Sequence, residues 1–458
     1  MKVYKIDYLV QKDVVLKDAF LEVGKDGKII GIQKEYNGDY EHLRGLVLPG
    51  FQNAHSHCFQ YAMAGMAELH STTNEPDDFW SWRDSMYKIA LQISPEQLES
   101  VAMMLYSEML RMGYTEVAEF HYLHHDKDGK AYSNLSEMGE RLMSAAQKTG
   151  IKITLIPIFY QKGGFGKEAS EGQRRFLSPD SENYLKLVEA SRKSAENYSK
   201  AKVVKGIHSL RAVDEKGLQN VLNTKEKDLP LHIHISEQLK EVEECKSYYG
   251  ARPVQWLLDN FEVDSNYHLV HATHLVESEI QGIANSGANV VLCPSTEGNL
   301  GDGIFPLRAF QEMGGKWSIG TDSHIGLQFM EELRLLDYGQ RLISHKRNTF
   351  YSKQQGNPGF YGLSQAICNG RKAMGVQSSN FFEIGHDFDA VVVDMVHPLM
   401  FMSEPELKLS TLLYSMDQSS IKEVYVAGER IITNGMHEQM DSIWIDFAKT
   451  LKDLGFRN

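Results

Sequence analysis

Two histidine pairs with a single residue between them, His55-Ser56-His57 and His232-Ile233-His234, are the parts of this chain best suited to chemistry. On a strand, residues i and i+2 face the same side, so His55 and His57 can converge on one ion. The spacing alone carries little weight, because 18 histidines in 458 residues give roughly 0.7 such pairs by chance. Company gives it weight. His234 ends another apolar run and Asp322 a third, and three imidazoles with one carboxylate suit a single divalent ion, zinc favoured and iron possible, with a position left for water. Such an ion activates water for hydrolysis. Asp322 could take the water's proton while holding the ion. Glu237, three residues past His234, could exchange protons with a substrate, and His271 could polarise the electrophile.

The elements that must position these groups are legible as texture. Short β-branched runs alternate with helix-length segments: Leu46-Val47-Leu48, Thr115 to Phe120, Ile151 to Phe159, Val203 to Ile207, Leu231 to Ile235, His268 to Val270, Val290 to Leu292 and Trp317 to Ile319. Eight such runs predict a (β/α)8 barrel of the TIM type, in which strand C-termini form the active-site face. Polar groups follow most of the runs, including His55, His57, Tyr122, His208, Arg211, His234, Glu237, His271 and Asp322. Both ends of the chain have a different texture. Phe20 to Val23 and Ile29 to Ile32 flank an Asp26-Gly27 turn, and Asp389 to Val393 and Glu423 to Val426 repeat the pattern. Neither half-set can bury its own face, so residues 1–48 and 383–458 are expected to form one composite β-sandwich with a C-terminal helix, around a barrel of residues 49–382.

Composition narrows the partners. A net charge of −13 without a basic stripe argues against nucleic acid. There is no signal-peptide core and no membrane-length apolar run, so no membrane partner and a cytoplasmic location are expected. Four dispersed cysteines predict neither a disulfide framework nor a zinc ribbon. Asp126-Lys127-Asp128-Gly129 has its glycine misplaced for a calcium loop, and the glycines at 163, 164 and 166 lack dinucleotide or P-loop spacing. Residues 161–177 are expected instead to cover the barrel mouth as a lid. Trp80 and Trp82 could wall the pocket or simply pack.

The runs PGFQNAHSHCFQYAMAGMAE, HIHISEQ, HLVHATH and IGTDSH resemble the amidohydrolase superfamily in its single-metal deaminase branch. EFHYLHHDKDG, GGFG with GQRRF, GIHSLRAV and LCPSTEGNLGDGIFP are most similar to members acting on N-formimino-L-glutamate. The resemblance spans about residues 47–325. It implies the barrel-and-sandwich fold and hydrolysis of that linear amidine to N-formyl-L-glutamate and ammonia in histidine degradation. A dianionic substrate demands fixed cationic donors. The resemblance supports Arg83 and Arg211 as carboxylate clamps, with Gln60, Tyr122 and His208 helping. Two-metal relatives carry a carboxylated lysine at the end of strand four. Lys205 stands too early for that, so one ion is expected. Cys58 and Tyr61 depart from the pattern, which has a small residue and an arginine there, and Cys58 reads as a buried filler rather than a ligand. Two other readings use the same fold: a deaminase of a heterocycle such as guanine, cytosine or an adenosyl-homocysteine, and a non-catalytic scaffold. A homodimer is expected.

Overall fold

The computed structural model describes the chain apart from residues 69–78, 225, 227, 228, 379 and 456–458 and the side chains of Trp80 and Ser81. Four strands open it: β1 (Lys2–Val10), β2 (Val15–Val23), β3 (Ile29–Gln33) and β4 (Glu41–Pro49). Gly27, at φ 78°, makes the expected turn between β2 and β3. The barrel follows, with β5 (Phe51–Ser56), β6 (Tyr114–His121), β7 (Lys152–Phe159), a short β8 (Ala201–Val203) paired only to β7, β9 (Lys205–Ser209), β10 (Leu231–Ile235), β11 (Tyr267–His271), β12 (Asn289–Leu292) and β13 (Lys316–Ile319). The chain then returns to the first sheet with β14 (Ala390–Val393), β15 (Ile421–Val426), β16 (Glu429–Thr433) and β17 (Met436–His437).

The terminal strands form one sheet in the order β17-β16-β15-β14-β4-β1-β2-β3. β15 and β1 stand three places apart, about 14 Å in a flat sheet, yet the rings of Tyr4 and Tyr425 meet at 5.7 Å. The sheet is therefore curled on itself, with Tyr4, Phe388 and Tyr425 between its two inner faces.

Two strand expectations need correction. Leu46-Val47-Leu48 belong to β4, not to the barrel. Leu46 and Val47 pair with β1, and Val47 and Leu48 pair with β14. A strand flanked on both sides and buried on both faces is continuously apolar in either sheet, so composition cannot tell the two apart. The chain changes sheets at Gly50, where a Cβ would collide with the Thr115 side chain. The run from Val203 to Ile207 is also not one strand. It divides at Val204, whose N–H turns aside to Leu155 O, so β9 alone takes the fourth barrel position.

Among the described residues, helices wrap this frame: α1 (Phe79–Gln92), α2 (Pro95–Arg111), α3 (Glu137–Thr149), α4 (Ser181–Ala195), α5 (Glu215–Asn223), α6 (Leu239–Tyr249), α7 (Pro253–Asn260), α8 (Glu277–Ser286), α9 (Pro294–Leu300), α10 (Leu307–Glu312), α11 (Phe329–Ser344), α12 (Pro358–Ala373), α13 (Pro398–Met402), α14 (Lys408–Ser415) and α15 (Met440–Asp453). None is long and apolar enough to cross a membrane. α2 starts where Ser94 and Gln97 satisfy each other's backbone donors, with Pro95 in the first turn. α15 packs on α2 through Met104, Met440 and Ile443.

Residues 161–177 reach the barrel mouth, where Lys162, Gly163 and Phe176 line the cleft. Their base is fastened. Arg175 is fully buried and donates to Ala90 O at 2.6 Å, Ile93 O at 2.8 Å and His125 O at 2.7 Å. It thereby satisfies carbonyls at the C-terminal end of α1 that no helical donor reaches. Its neighbour Arg174 is partly exposed; it donates to Lys127 O and Glu171 O and pairs with the exposed Glu171 carboxylate at 3.0 Å. Arg175→Ala strands three carbonyls and should lower the thermal midpoint by about 3–5 °C, whereas Arg174→Ala should move it by less than about 1 °C. Differential scanning calorimetry on both variants checks this, and equal effects would refute the fastening role.

Candidate metal-dependent active site

The site lies where the barrel strands end. β5 carries His55 and His57 to one side, β10 brings His234, and Asp322 follows β13. All four are buried. His55 Nε2 lies 3.1 Å from His57 Nε2 and 3.0 Å from His234 Nε2. Asp322 Oδ1 stands 3.4 Å and 3.2 Å from the Nε2 atoms of His55 and His57. Donors about 2.0–2.1 Å from a tetrahedral ion sit about 3.3 Å from one another, so the spacing suits zinc coordination.

The hydrogen bonding argues the same way. His57 Nδ1 meets Phe120 O at 2.9 Å and His234 Nδ1 meets His208 O at 3.1 Å, contacts that only N–H donors can make. Burial lowers the pKa of both rings and drives His55 down to about 3, so all three are neutral. The Nε2 atoms of His57 and His234 are then bare lone pairs pointing at His55, beside a carboxylate. One imidazole cannot donate to all of these acceptors. A cation satisfies the set.

Around this group stand the proton-carrying residues. His271 stacks on His234 at 5.5 Å between centroids. Its Nε2 lies 3.9 Å from Glu237 Oε1 and 3.8 Å from Asp322 Oδ2, and its Nδ1 lies 3.3 Å from Glu297 Oε1. Burial pulls its pKa down, but the carboxylates of Glu237, Glu297 and Asp322 outweigh burial and hold the ring charged, to about 10. A charged ring offers N–H donors rather than a ligand lone pair, although a ring nitrogen of His271 lies within 4.8 Å of ring nitrogens of His55 and His234. Burial raises the Glu237 carboxyl, while His271 and Arg211 oppose the shift.

Several of these residues hold unusual backbone. Ser236, His271, Ala272, Asp322 and His324 all have φ between 48° and 68°, a region costly for residues with a Cβ. Five strained positions at the ends of β10, β11 and β13 aim side chains inward where a regular strand would alternate them.

The cleft above is open to solvent, and the space in it that can hold water-sized molecules is small, about 60 Å³. Arg83 on α1 and Arg211 after β9 both line it, as do Gln60, Tyr122 and His208. Gln60 Nε2 donates to Tyr122 Oη at 2.9 Å, and Gln60 Oε1 is a buried acceptor with no partner among the described residues. Arg83 lies over the Tyr87 ring at 5.4 Å. Arg211 is buried between Glu241, at 3.3 Å, and Glu237, at 3.7 Å. The first chain segment after β5 reaches the cleft with Trp82 and Met86, while its residues 69–78 and the Trp80 side chain lie outside the described residues.

Other candidates sit elsewhere. The Cys58 thiol is pushed well above its usual range by burial, and Cys58 N–H donates to Glu119 Oε1 at 2.6 Å. Tyr61 stacks on Phe447 of α15. Lys205 Nζ bonds Thr224 O at the end of α5, away from the donor set. Three residues were not anticipated. Glu241 accepts from the N–H groups of Ser236 and Glu237, both at 3.1 Å, and so fixes the loop that presents Glu237. Glu297 accepts from Cys293 N–H at 2.9 Å while facing His271. Glu119 accepts from Ser56 Oγ, Cys58 N–H and Tyr106 Oη on either side of His57. In the sequence each is an acidic residue inside an element, with no spacing that points to the donor set.

Residues 46–431 match the amidohydrolase family. The formimidoylglutamate deiminase of Pseudomonas aeruginosa is 43% identical over 440 residues, 96% of each chain. A 5-methylthioadenosine/S-adenosylhomocysteine deaminase of Halobacterium salinarum is 24% identical over 92% of this chain and 90% of its own. The crystal structure of an amidohydrolase from Brucella melitensis superposes with a TM-score of 0.93 at 38% identity, covering 99% of this chain and all of that one. With a buried donor set at the mouth of a (β/α)8 barrel and these matches along nearly its whole length, the chain belongs to the amidohydrolase family and is a hydrolase of that family.

Proposed function

We propose that this enzyme hydrolyses N-formimino-L-glutamate to N-formyl-L-glutamate and ammonia, a step of histidine breakdown. It works with one divalent ion per chain, zinc favoured, held by His55, His57, His234 and Asp322. The observation that carries the substrate is the pair of arginines, Arg83 and Arg211, lining the same cleft as the donor set. A dianion with an amidine at one end fits that layout, and the relative from Pseudomonas aeruginosa bears the matching name.

A bound divalent ion supplies acidity, lowering the pKa of a water from about 15.7 toward about 7. Asp322, whose Oδ1 faces His55 and His57 and whose Oδ2 faces His271, would accept the proton that the attacking water loses. His271 donates Nε2–H toward the oxygen that attacks the formimino carbon and balances the charge that develops there. Glu237, beside His271 in the cleft, takes the proton left on the added hydroxyl and hands it to the amine nitrogen, which departs as ammonia while the C=O bond forms and then takes up the proton held by Asp322. Glu241 keeps the Glu237 loop in place and balances Arg211, whose buried charge needs a partner even when no substrate is bound. Arg211 and Arg83 take the two carboxylates, and Tyr122, His208 and Gln60 offer directed hydrogen bonds.

Ammonia release should be seen with N-formimino-L-glutamate and not with guanine or adenosyl-homocysteine. Arg211→Ala should lower kcat/KM by roughly 30- to several-thousand-fold at unchanged metal content, because truncating one arm of a buried charge pair costs about 2–5 kcal/mol. Lysine should rescue it poorly for want of a bidentate fork. If Arg83→Ala and Arg211→Ala both stay within twofold of the parent, the dianion reading fails.

Glu237→Gln should keep its metal and lose at least about 100-fold in kcat, since an amide cannot carry the proton. Metal loss in this variant would make Glu237 a ligand instead. Elemental analysis should find close to one zinc per chain in the parent and little in His55→Ala. A value near two would overturn the single-ion assignment.

A further inference from the structure

The stretch that carries His55 and His57 is not held to β6 by a regular ladder. Asn53 of β5 pairs with Val117, yet Ser56 pairs with Glu119, so β5 has one residue more than β6 across Ala54 and His55. Such a bulge re-aims side chains and interrupts the backbone pairing on that side. β5 then ends at Ser56, and a 3-10 turn begins at Cys58. His57 therefore stands at a junction between two elements.

Glu119 makes up for the missing ladder. Its side chain is buried, Oε2 accepts from Ser56 Oγ at 2.7 Å, and Oε1 accepts from Cys58 N–H at 2.6 Å. One carboxylate thus grips the residues on both sides of His57. Tyr106 Oη of α2 is a third donor, at 3.2 Å. No lysine or arginine pairs with Glu119 among the described residues, so these three donors offset the cost of burying it. The next residue, Phe120, supplies the carbonyl that takes His57 Nδ1–H. Consecutive residues of β6 therefore fix both the ring and the backbone that carries it.

The grip extends to the other end of the donor set. The Ser56 hydroxyl has one proton and gives it to Glu119, so toward His324 Nε2, 3.2 Å away, it can only accept. Burial holds His324 neutral. Its Nδ1 is then bare and accepts from Thr321 Oγ1 at 2.8 Å, and Thr321 Oγ1 accepts from Asn53 Nδ2. The chain Asn53–Thr321–His324–Ser56–Glu119 crosses the joint between β13 and β5 and ends on a group that only accepts. It ties the backbone beside His57 to Thr321 and His324, which flank Asp322.

We propose that Glu119 is a positioning residue for His57 and sets how long the divalent ion stays bound. The inference rests on the assignment of His55, His57, His234 and Asp322 as ligands. Glu119 is not among the side chains that line the cleft, so it acts through the ligand and not on the substrate. Glutamine is the informative replacement, because it keeps the shape of glutamate and makes one end a donor. With its amide NH2 toward Cys58 N–H, two donors face each other. Turned round, it asks Ser56 Oγ to accept from both sides and leaves the hydroxyl proton without its partner. Neither orientation preserves the chain.

The test follows zinc release from the holoenzyme into excess chromogenic chelator. Glu119→Gln should lose zinc about 10- to 100-fold faster than the parent, the usual range for a group that orients a ligand. Ser56→Ala should also release faster, whereas Tyr106→Phe, which keeps both grips beside His57, should stay within about threefold of the parent. Glu332 is the control. It is an equally buried carboxylate that accepts from Ser295 N–H and Oγ at α9, away from the residues flanking the ligands. Glu332→Gln should release zinc at the parent rate. In cobalt-substituted protein the d–d bands should shift in Glu119→Gln and not in Glu332→Gln. Release from Glu119→Gln at the parent rate, equal acceleration in Glu332→Gln, or unshifted cobalt bands would each overturn the proposal. Should Glu119→Gln fail to fold, the other pair decides: Tyr106→Phe releasing zinc as fast as Ser56→Ala overturns it. A parent that holds no zinc, or a His57→Ala variant that keeps it, would instead refute the ligand assignment itself.

Discussion

The seam between β13 and β5 is the contact on which the rest of the molecule depends. Thr321 and Asp322 N–H groups donate to His55 O at 3.1 and 3.0 Å, and His57 N–H donates to Asp322 O at 3.1 Å. These bonds close the barrel, and three of the four proposed metal ligands make them. Closure and ligand geometry are therefore one constraint: the seam cannot slip without separating Asp322 from His55 and His57. Side chains lock it further. Asn53 accepts from Thr321 N–H and donates to Thr321 Oγ1 at 2.6 Å, and His324 bridges Thr321 and Ser56. At Gly320 any Cβ would press into His55, so the strands approach here as closely as backbone allows.

Electrostatics complete what the seam begins. Glu237, Glu241, Glu297 and Asp322 are buried within a few residues of the strand ends, and Arg211 and His271 stand against them as cations. Such a carboxylate-rich interior is expensive unless a cation joins it. The surplus of negative charge and the converging Nε2 lone pairs call for the same occupant. The acidic residues divide the remaining labour by what they accept. Glu241 and Glu297 take backbone N–H groups and hold loops and rings, which leaves Glu237 and Asp322 to face the cleft.

The curled terminal sheet bears on the site through the chain's own path. β4 feeds through Gly50 directly into β5, so the position of His55 and His57 is inherited from a strand pinned on both sides by β1 and β14. From beneath, Lys152 at the start of β7 is held by Asp387 and Asp389 next to β14. Burial works against this ammonium, but the carboxylates outweigh it and keep it charged. Arg175 does the equivalent work above, tying the end of α1, and with it Arg83, to residues 161–177.

By itself the sequence determined the chemistry and the architecture, because both are written locally. His55-x-His57 shares a strand face whatever surrounds it, and buried parallel strands must be apolar runs, so the barrel, the strand ends and the ligand candidates could be read from pattern. The resemblance of short motifs extended this to family and substrate. Tertiary structure alone decided what depends on distant parts meeting. Leu46 to Leu48 and Phe51 to Ser56 are equally buried, and only their partners reveal that one lies in the terminal sheet and the other in the barrel. Glu119, Glu241 and Glu297 look like ordinary acidic residues until closure of the barrel sets them against His57, Glu237 and His271. Arg174 and Arg175 are adjacent and identical, yet one is partly exposed and the other seals a helix end. Pairing across the barrel is a property of the closed chain, whereas periodicity records only which way each residue faces.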